Sequence, residues 1–489
     1  MKTVQAYDKK KLERIKWGGI HSMMKVKKSM LLLSLSILCI IIGSHLVSNK
    51  VSKRKNDNTY PNTNKEETAT TIPIDDETFI DTSDTIRVAL HTSQFLSLYH
   101  NKVSISCNTP YQVITKKKTV RKKAKQELVI STIQEEMTIE PLEKKGRIRI
   151  TSIERSQGNP EYRGKLHLYP KEGKLIVVNE LSLEQYLYGV VPSEMPASYE
   201  QEALKLQAVC ARTYALKEKS QKQYADVYAD VVDSTASQVY NNTVEDGRCN
   251  QAVRDTQGKI LMYQGELAST YFFSTSCGYT TNATDVWYQS RKDVSPPYLV
   301  GKFQGKKALQ LNLKKEKDFR KFLNNTTLYH TFEKEEAWYR WTVTCTLAQI
   351  TQTLQKNYPE EMSHIGNIKE LSIVERGVGG VAKRCKIVGS NGSFFIEKEN
   401  AIRKALAVTG TKAIGQSGKQ MTISSILPSG YFYIKKKGAS IQVHGGGFGH
   451  GVGMSQTGAN RMAKLGYTWA VMAKHYFEGV SIHDETEEK

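Results

Sequence analysis

The chain has 489 residues, of which 39% are hydrophobic and 24% charged, with a formal net charge of +21. That length excludes one small core and calls for two or three domains. The basic excess brings nucleic acid to mind, but no nucleic-acid motif accompanies it, so that class is set aside; anionic wall polymer or lipid head groups attract a basic surface by the same long-range field.

Residues 1–28 form a basic tail, with Lys2, Lys9, Lys10, Lys11, Arg14, Lys16, Lys25, Lys27 and Lys28 against Asp8 and Glu13. The next stretch, "SMLLLSLSILCIIIGSHLV", is almost wholly apolar and about the length a helix needs to cross a bilayer. Residues 29–48 therefore read as a transmembrane anchor. The basic flank places the N-terminus in the cytoplasm, and a small-x-small cleavage site is missing, so the expectation is an uncleaved single-pass membrane protein with an extracytoplasmic remainder. Residues 49–83 are polar and rich in Asn, Thr, Lys and Glu, a disordered linker by composition.

From 84 to 180 short β-favouring runs separated by turn residues dominate, among them "VSISC", "RIRITSI", "GKLHLYP" and "KLIVVNE". They predict a β-rich subdomain whose most basic loop lies near Lys116 to Lys125. Residues 181–300 hold a central helix within "PASYEQEALKLQAVCARTYALKEK", with Ser198 as N-cap and Gln201 completing a capping box. Ala203, Leu204, Ala208, Ala211 and Ala215 recur at three- and four-residue steps as its buried stripe. Pro196 drives Met195 out of the helical region, which puts Glu194 in an extended segment entering that helix. "ADVYADVVD" and "GKILMYQGELASTYFFSTSCGYTTN" follow as strands, with a hairpin turn at Gln264–Gly265.

Residues 301–427 read as an inserted α+β portion, with "TLAQITQTLQKNY" a helix and "IKELSIVERG", "AKRCKIVGS" and "GSFFIEKE" strands. Residues 428–489 return to the core. There a glycine-rich loop leads into a helix capped by Ser455 and ended by Gly466, and Thr468 caps another that runs to about Tyr476. The expected fold class is thus α+β: anchor and tether, β-rich subdomain, central-helix core and inserted α+β portion.

Seven cysteines are present and none forms a CxxC pair. Six lie beyond the apolar segment, and six thiols allow fifteen full pairings. Cys210 sits among apolar helix positions as a buried free thiol. Cys249 and Cys277 flank one strand and are the disulfide pair to test first.

Seven glycines between Gly445 and Gly458 strip side chains from a stretch carrying His450, Met454, Ser455 and Gln456. Such a loop lets backbone N–H groups approach a ligand, and the spacing is not that of a P-loop. A sugar suits it better than a phosphate, and a merely tight turn is the competing explanation.

"LSLEQYLYGVVPSEMPASYEQEALKLQAVCARTYAL", "DSTASQVY", "YFFSTSCGYTTNATDVW" and "GFGHGVGMSQTGANRMAKLGYTWAVMAKHYFEGV" resemble, in the same order, segments of the SpoIID/LytB family. That family comprises stage II sporulation protein D and the amidase-enhancer proteins. The resemblance runs weakly from Ile86 and strongly from Leu181 to Val480. It implies a peptidoglycan lytic transglycosylase acting in the engulfment stage of sporulation, with Glu194 as catalytic acid. The partners it implies are glycan strands stripped of peptide, an amidase and other engulfment proteins, with no cofactor. Some relatives bind zinc, but no clear ligand set is present and no metal is assigned. Ordinary glycosidases need two carboxylates. A lytic transglycosylase manages with one, which protonates the glycosidic oxygen and then accepts a proton from the muramic acid C6 hydroxyl. Such an acid has to be protonated near neutral pH, which burial among Met195, the prolines and Val190–Val191 favours.

Matching blocks supply the substrate-binding candidates. Arg212 holds substrate, orients Glu194 or forms a buried ion pair. Ser274, Thr275 and Ser276 offer sugar hydrogen bonds or strand-end packing. His450, Ser455 and Gln456 line the cleft, or His450 is structural, as His475 is taken to be. Tyr214 and Tyr240 stack on pyranose faces or fill the core. Cys277 and Thr457 depart from the glycine and tyrosine frequent in relatives. Two further readings stand beside the enzyme: a non-catalytic wall-binding activator of an autolysin amidase, and a hydrolytic muramidase whose second carboxylate is Asp285 or Glu184.

Overall fold

A computed structural model describes residues 84–485 apart from 289, 291 and 327. The expected anchor at 29–48 and the linker at 49–83 lie outside the described residues. The membrane placement built on that anchor is corrected: among the described residues no helix is long and apolar enough to cross a membrane.

The architecture is mixed α and β. The N-terminal part has two sheets. One runs in the order Val231–Val232, Thr85–Ala89, Lys174–Ser182, Lys165–Lys171, Met137–Pro141, Tyr111–Ile114, Thr119–Lys122. The other runs Leu128–Ile130, Val103–Cys107, Ile148–Ile150, Glu161–Tyr162. Strand Lys174–Ser182 explains the unbroken apolar run "LIVV". Leu175 and Val177 enter the main core, whereas Ile176 and Val178 pack with Ala89, Tyr169 and Val232 on the opposite face. A strand covered on both faces needs no alternation. The basic loop at Lys116–Lys118 is exposed and turns between the last two strands of the first sheet.

Helix Gln201–Gln221 is the axle of the core. Its first turns are buried nearly all round, with Ala203, Leu204, Leu206, Ala208, Val209 and Ala211 enclosed. It packs against helices Leu183–Glu194, Gly247–Asp255, Gln456–Lys464 and Trp469–Tyr476 and against strand Lys259–Tyr263. Alanines at the contact positions let those neighbours approach closely. Its start differs from expectation: Glu200, not Ser198, is the N-cap, and no side chain caps it. Pro196 instead anchors a turn, with Tyr199 N–H donating to its carbonyl at 3.0 Å. "ADVYADVVD" is a 3-10 turn at Ala225–Val227 followed by the two-residue strand Val231–Val232.

The inserted portion holds a sheet in the order Gln420–Thr422, Lys412–Gly415, Trp341–Thr346, Ser440–Gly445, Phe432–Lys437, and a meander of Ile368–Arg376, Ala382–Gly389 and Ser393–Glu397. Strands Phe432–Lys437 and Ser440–Gly445, grouped by sequence with the glycine-rich end, belong to this sheet. The chain re-enters the core where Met454–Ser455 pairs in parallel with Phe272–Phe273 and Ser481–Asp484 pairs with Lys259–Tyr263. All six described cysteines are buried free thiols, so the Cys249–Cys277 disulfide does not form.

Candidate active site

Glu194 is the last residue of helix Leu183–Glu194, which Ser182 caps by accepting from the Gln185 N–H at 3.3 Å. The expected extended segment begins one residue later, at Met195 (φ −133°, ψ 134°), where Pro196 forbids the helical region. The acid therefore stands at a helix C-terminus, where the macrodipole disfavours a negative charge.

A loop from the "DSTASQVY" block clamps this helix end. Gly189 makes the approach possible, because a Cβ there would lie 2.5 Å from the Tyr240 ring. Asn241 N–H donates to the Gly189 carbonyl at 3.0 Å, and the Ser193 hydroxyl donates to the same carbonyl at 2.7 Å while accepting from Asn242 N–H at 3.0 Å. Docked in this way, the loop delivers Val239 N–H to Glu194 Oε1 at 2.6 Å. Burial pushes the Glu194 carboxyl up to about 7, with the Val239 hydrogen bond pulling the other way. Its surface is only partly accessible.

Gln456 braces the backbone of the acid. Its Nε2 donates to the Glu194 carbonyl at 3.0 Å, satisfying an acceptor that a helix end leaves open. It also donates to Gln207 Oε1 on the central helix at 3.3 Å. Ser455, expected at the substrate, is fully buried and caps helix Gln456–Lys464 by accepting from Gly458 N–H at 3.3 Å and from Ser276 N–H at 3.1 Å.

Other candidates are likewise spent on structure. Arg212 is enclosed: its guanidinium bonds both Glu184 oxygens, at 2.6 and 2.7 Å, and the carbonyls of Lys259 and Val253. It is the buried ion pair, not a substrate ligand. Thr275 and Ser276 are buried, leaving half-buried Ser274 as the hydroxyl of the three nearest solvent. His450 donates from Nε2 to the Phe272 carbonyl at 3.0 Å and accepts from Val452 N–H at Nδ1 at 3.1 Å. Burial depresses it to about 3, so it is a neutral structural imidazole. Tyr240 bonds Asn179 Oδ1 at 2.8 Å inside the core. The glycine-rich loop is packed closely at two of its glycines. At Gly449 (φ +109°) and Gly453 (φ +75°) a Cβ would strike Phe273 at 2.8 Å and the Tyr271 carbonyl at 2.2 Å, so the glycines serve close packing on strand Phe272–Phe273.

Sequence reasoning passed over several groups. Ser193, Gln238 and Val239 lie inside the matching blocks but were not read singly. Glu333 lies outside the blocks and carried no signal. It is fully enclosed beneath Gly458, and burial raises it to about 8, although the nearby Ser455 hydroxyl favours its ionised form. Asp285 accepts from Val378 N–H at 2.8 Å and pairs with Lys383 at 3.0 Å. Among the described residues no three His, Cys, Asp or Glu side chains converge on a metal site. A cavity of about 270 Å³ in the inserted portion, lined by Arg320, Lys369 and Ile373 among others, does not include Glu194.

Residues 171–263, which include Glu194, match the family model SpoIID, described as stage II sporulation protein, and residues 281–453 match a domain of unknown function. The amidase enhancer of Bacillus subtilis (strain 168) is 29% identical over 301 residues, covering 60% of this chain and 40% of the relative's own length. Stage II sporulation protein D of the same organism is 30% identical over 321 residues, covering 63% of this chain and 76% of the relative. Its counterpart in Bacillus amyloliquefaciens is 29% identical with the same coverage.

Proposed function

This chain belongs to the SpoIID family, and from that premise we propose that it is a lytic transglycosylase cleaving peptide-stripped glycan strands of peptidoglycan during wall remodelling in sporulation. The observation that carries the reading is one carboxyl, Glu194, held by its own helix, the Val239 N–H and Gln456, and brought by burial to about 7. An acid at that value exists in both forms near neutrality, as a residue that gives and then takes a proton requires.

In the proposed reaction Glu194 protonates the glycosidic oxygen, and the bond from that oxygen to the muramoyl C1 breaks. The carboxylate then takes the proton of the muramoyl C6 hydroxyl, whose oxygen closes the 1,6-anhydro ring on C1. No water is consumed, so the scheme has no place for a second carboxylate. The two acids that would make the site hydrolytic are engaged elsewhere, Glu184 with Arg212 and Asp285 with Lys383. Gln456 and Val239 fix the acid's position, and its neighbour Met195 is buried.

The amidase-enhancer relative supports a second reading, a wall-binding activator of an amidase, although this chain spans only 40% of that relative. Digestion of peptide-free glycan strands followed by mass spectrometry separates the readings. The enzyme yields 1,6-anhydro ends that Glu194→Gln abolishes while wall binding is retained. Anhydro ends at the same rate from the Gln variant would refute the assignment of the acid, reducing ends would indicate hydrolysis, and no cleavage with enhanced amidase action would favour the activator.

A further inference from the structure

On helix Gln201–Gln221 the residues Gln207, Ala211, Tyr214 and Glu218 are spaced four, three and four apart and therefore share a face. The row starts at the acid, since Gln207 is tied through Gln456 to the Glu194 carbonyl. At its second step the Ala211 carbonyl accepts from Gln238, neighbour of the Val239 that holds the acid. With a rise of 1.5 Å per residue, the row reaches Glu218 about 16 Å along the axis from Gln207.

Glu218 is half-buried, and burial holds its carboxyl above the usual carboxylate range while the charge of Lys217 pulls the other way. Burial raises the hydroxyls of Tyr214, Tyr271 and Tyr224, and the charge of Glu218 adds to each rise. Tyr271 meets Tyr214 edge-on at 6.3 Å and Trp287 at 4.8 Å. Trp287 is 41% exposed yet backed by the His450 ring at 4.8 Å. Trp287 therefore offers a partly exposed apolar ring against Tyr271, and Tyr271 in turn meets Tyr214, which lies four residues before Glu218 on the same helix face. A pyranose presents the complement, an apolar face of C–H groups rimmed by O–H and N–H donors.

We propose that Trp287, Tyr271 and Glu218 form a saccharide subsite remote from Glu194, which takes an N-acetylated pyranose of the same glycan strand. The ring stacks on the aromatic platform, and Glu218 accepts from a sugar hydroxyl or the acetamido N–H. The inference rests on the reading of the Glu194 site as a glycan site and extends it to the length of strand engaged. An ammonium group also suits aromatics beside a carboxylate, but burial disfavours the charged form of Glu218 that such a cation needs.

The test uses the full chain carrying Glu194→Gln, so that strands stay intact, and isothermal titration with peptide-free glycan oligomers of increasing length. Affinity rises with length until the oligomer reaches the platform. Trp287→Ala or Glu218→Ala weakens the longest oligomer about tenfold, the order of one well-packed aromatic contact, and leaves a disaccharide unchanged. Glu218→Gln, which keeps an acceptor oxygen, retains most of the affinity, and unfolding curves confirm that each variant folds. Equal losses for short and long oligomers, or none for long ones, overturn the subsite. Tighter binding of chemically deacetylated strands replaces the neutral sugar with an ammonium and overturns it too. Because binding is read without turnover, length-dependent affinity upholds the subsite even if wild type makes no anhydro ends. Absence of binding at every length refutes both proposals.

Discussion

Replacing Glu194 by Gln removes a titration while keeping the oxygen that accepts from Val239 N–H. The carboxyl rises from an ordinary 4.5 to about 7 in the folded chain, chiefly by burial. Below pH about 4.5 the acid is protonated folded or unfolded, and it affects stability little. Between 4.5 and 7 the unfolded chain releases this proton first, so stability falls as pH rises; above 7 the full cost is present. A rise of this size corresponds to about 3 kcal/mol, and the partly accessible surface of Glu194 makes about 1–3 kcal/mol the working range. Urea unfolding at pH 5 and pH 8 reads the difference directly. Wild type and Glu194→Gln are expected to be close at pH 5, with the variant more stable by that amount at pH 8. A difference that does not change between the two pH values, or a wild type favoured at pH 8, would refute the reasoning. Glu194 would then be a stabilised anion, unable to serve as a proton donor near neutrality.

Arg212→Met leaves Glu184 buried without its partner and is expected to cost about 3–5 kcal/mol in denaturant unfolding. Adding Glu184→Leu recovers much of that loss, whereas a role in holding substrate would show instead as a raised KM in a stable protein. Glu333→Gln flattens the decline in melting temperature between pH 5 and 9, because the wild-type acid, raised by burial to about 8, is deprotonated at increasing cost through that window. The six described cysteines, all buried, are expected to resist a thiol-alkylating reagent until the chain unfolds, as peptide mapping reads. A Cys249–Cys277 cross-link in the native protein would contradict the structure.

Where a local rule decides the backbone, the sequence was a reliable guide. Pro196 alone places Met195 in the extended region, and Gln264 and Gly265 both take positive φ in the hairpin turn that their dipeptide implies. Ser455 caps its helix as read, whereas Thr468 holds the N-cap position of the next helix without a side-chain bond. Side-chain direction was not legible in this way. Arg212, Thr275 and Ser276 belong to the matching blocks, and such a block looks the same whether its polar residues face a ligand or one another. Helix Leu183–Glu194 was missed because Gly189 and Pro192 lower its propensity; its packing against the Tyr240 loop and the central helix overrides them. Glu333 comes from another part of the chain to lie beneath Gly458, and no local pattern announces that.

The brace on the acid also sets a schedule for synthesis. Gln456 meets the Glu194 carbonyl across 262 residues of chain, and at ordinary elongation rates a ribosome takes roughly 13–50 s to cover that distance. Throughout that interval the helix end has no Gln456 beneath it, and strand Phe272–Phe273 waits for Met454–Ser455. The acid is thus emitted early and secured late. A product truncated before residue 454 keeps Glu194 but has neither its brace nor the strand that seats it, so an unfinished chain cannot assemble the arrangement that the complete one holds.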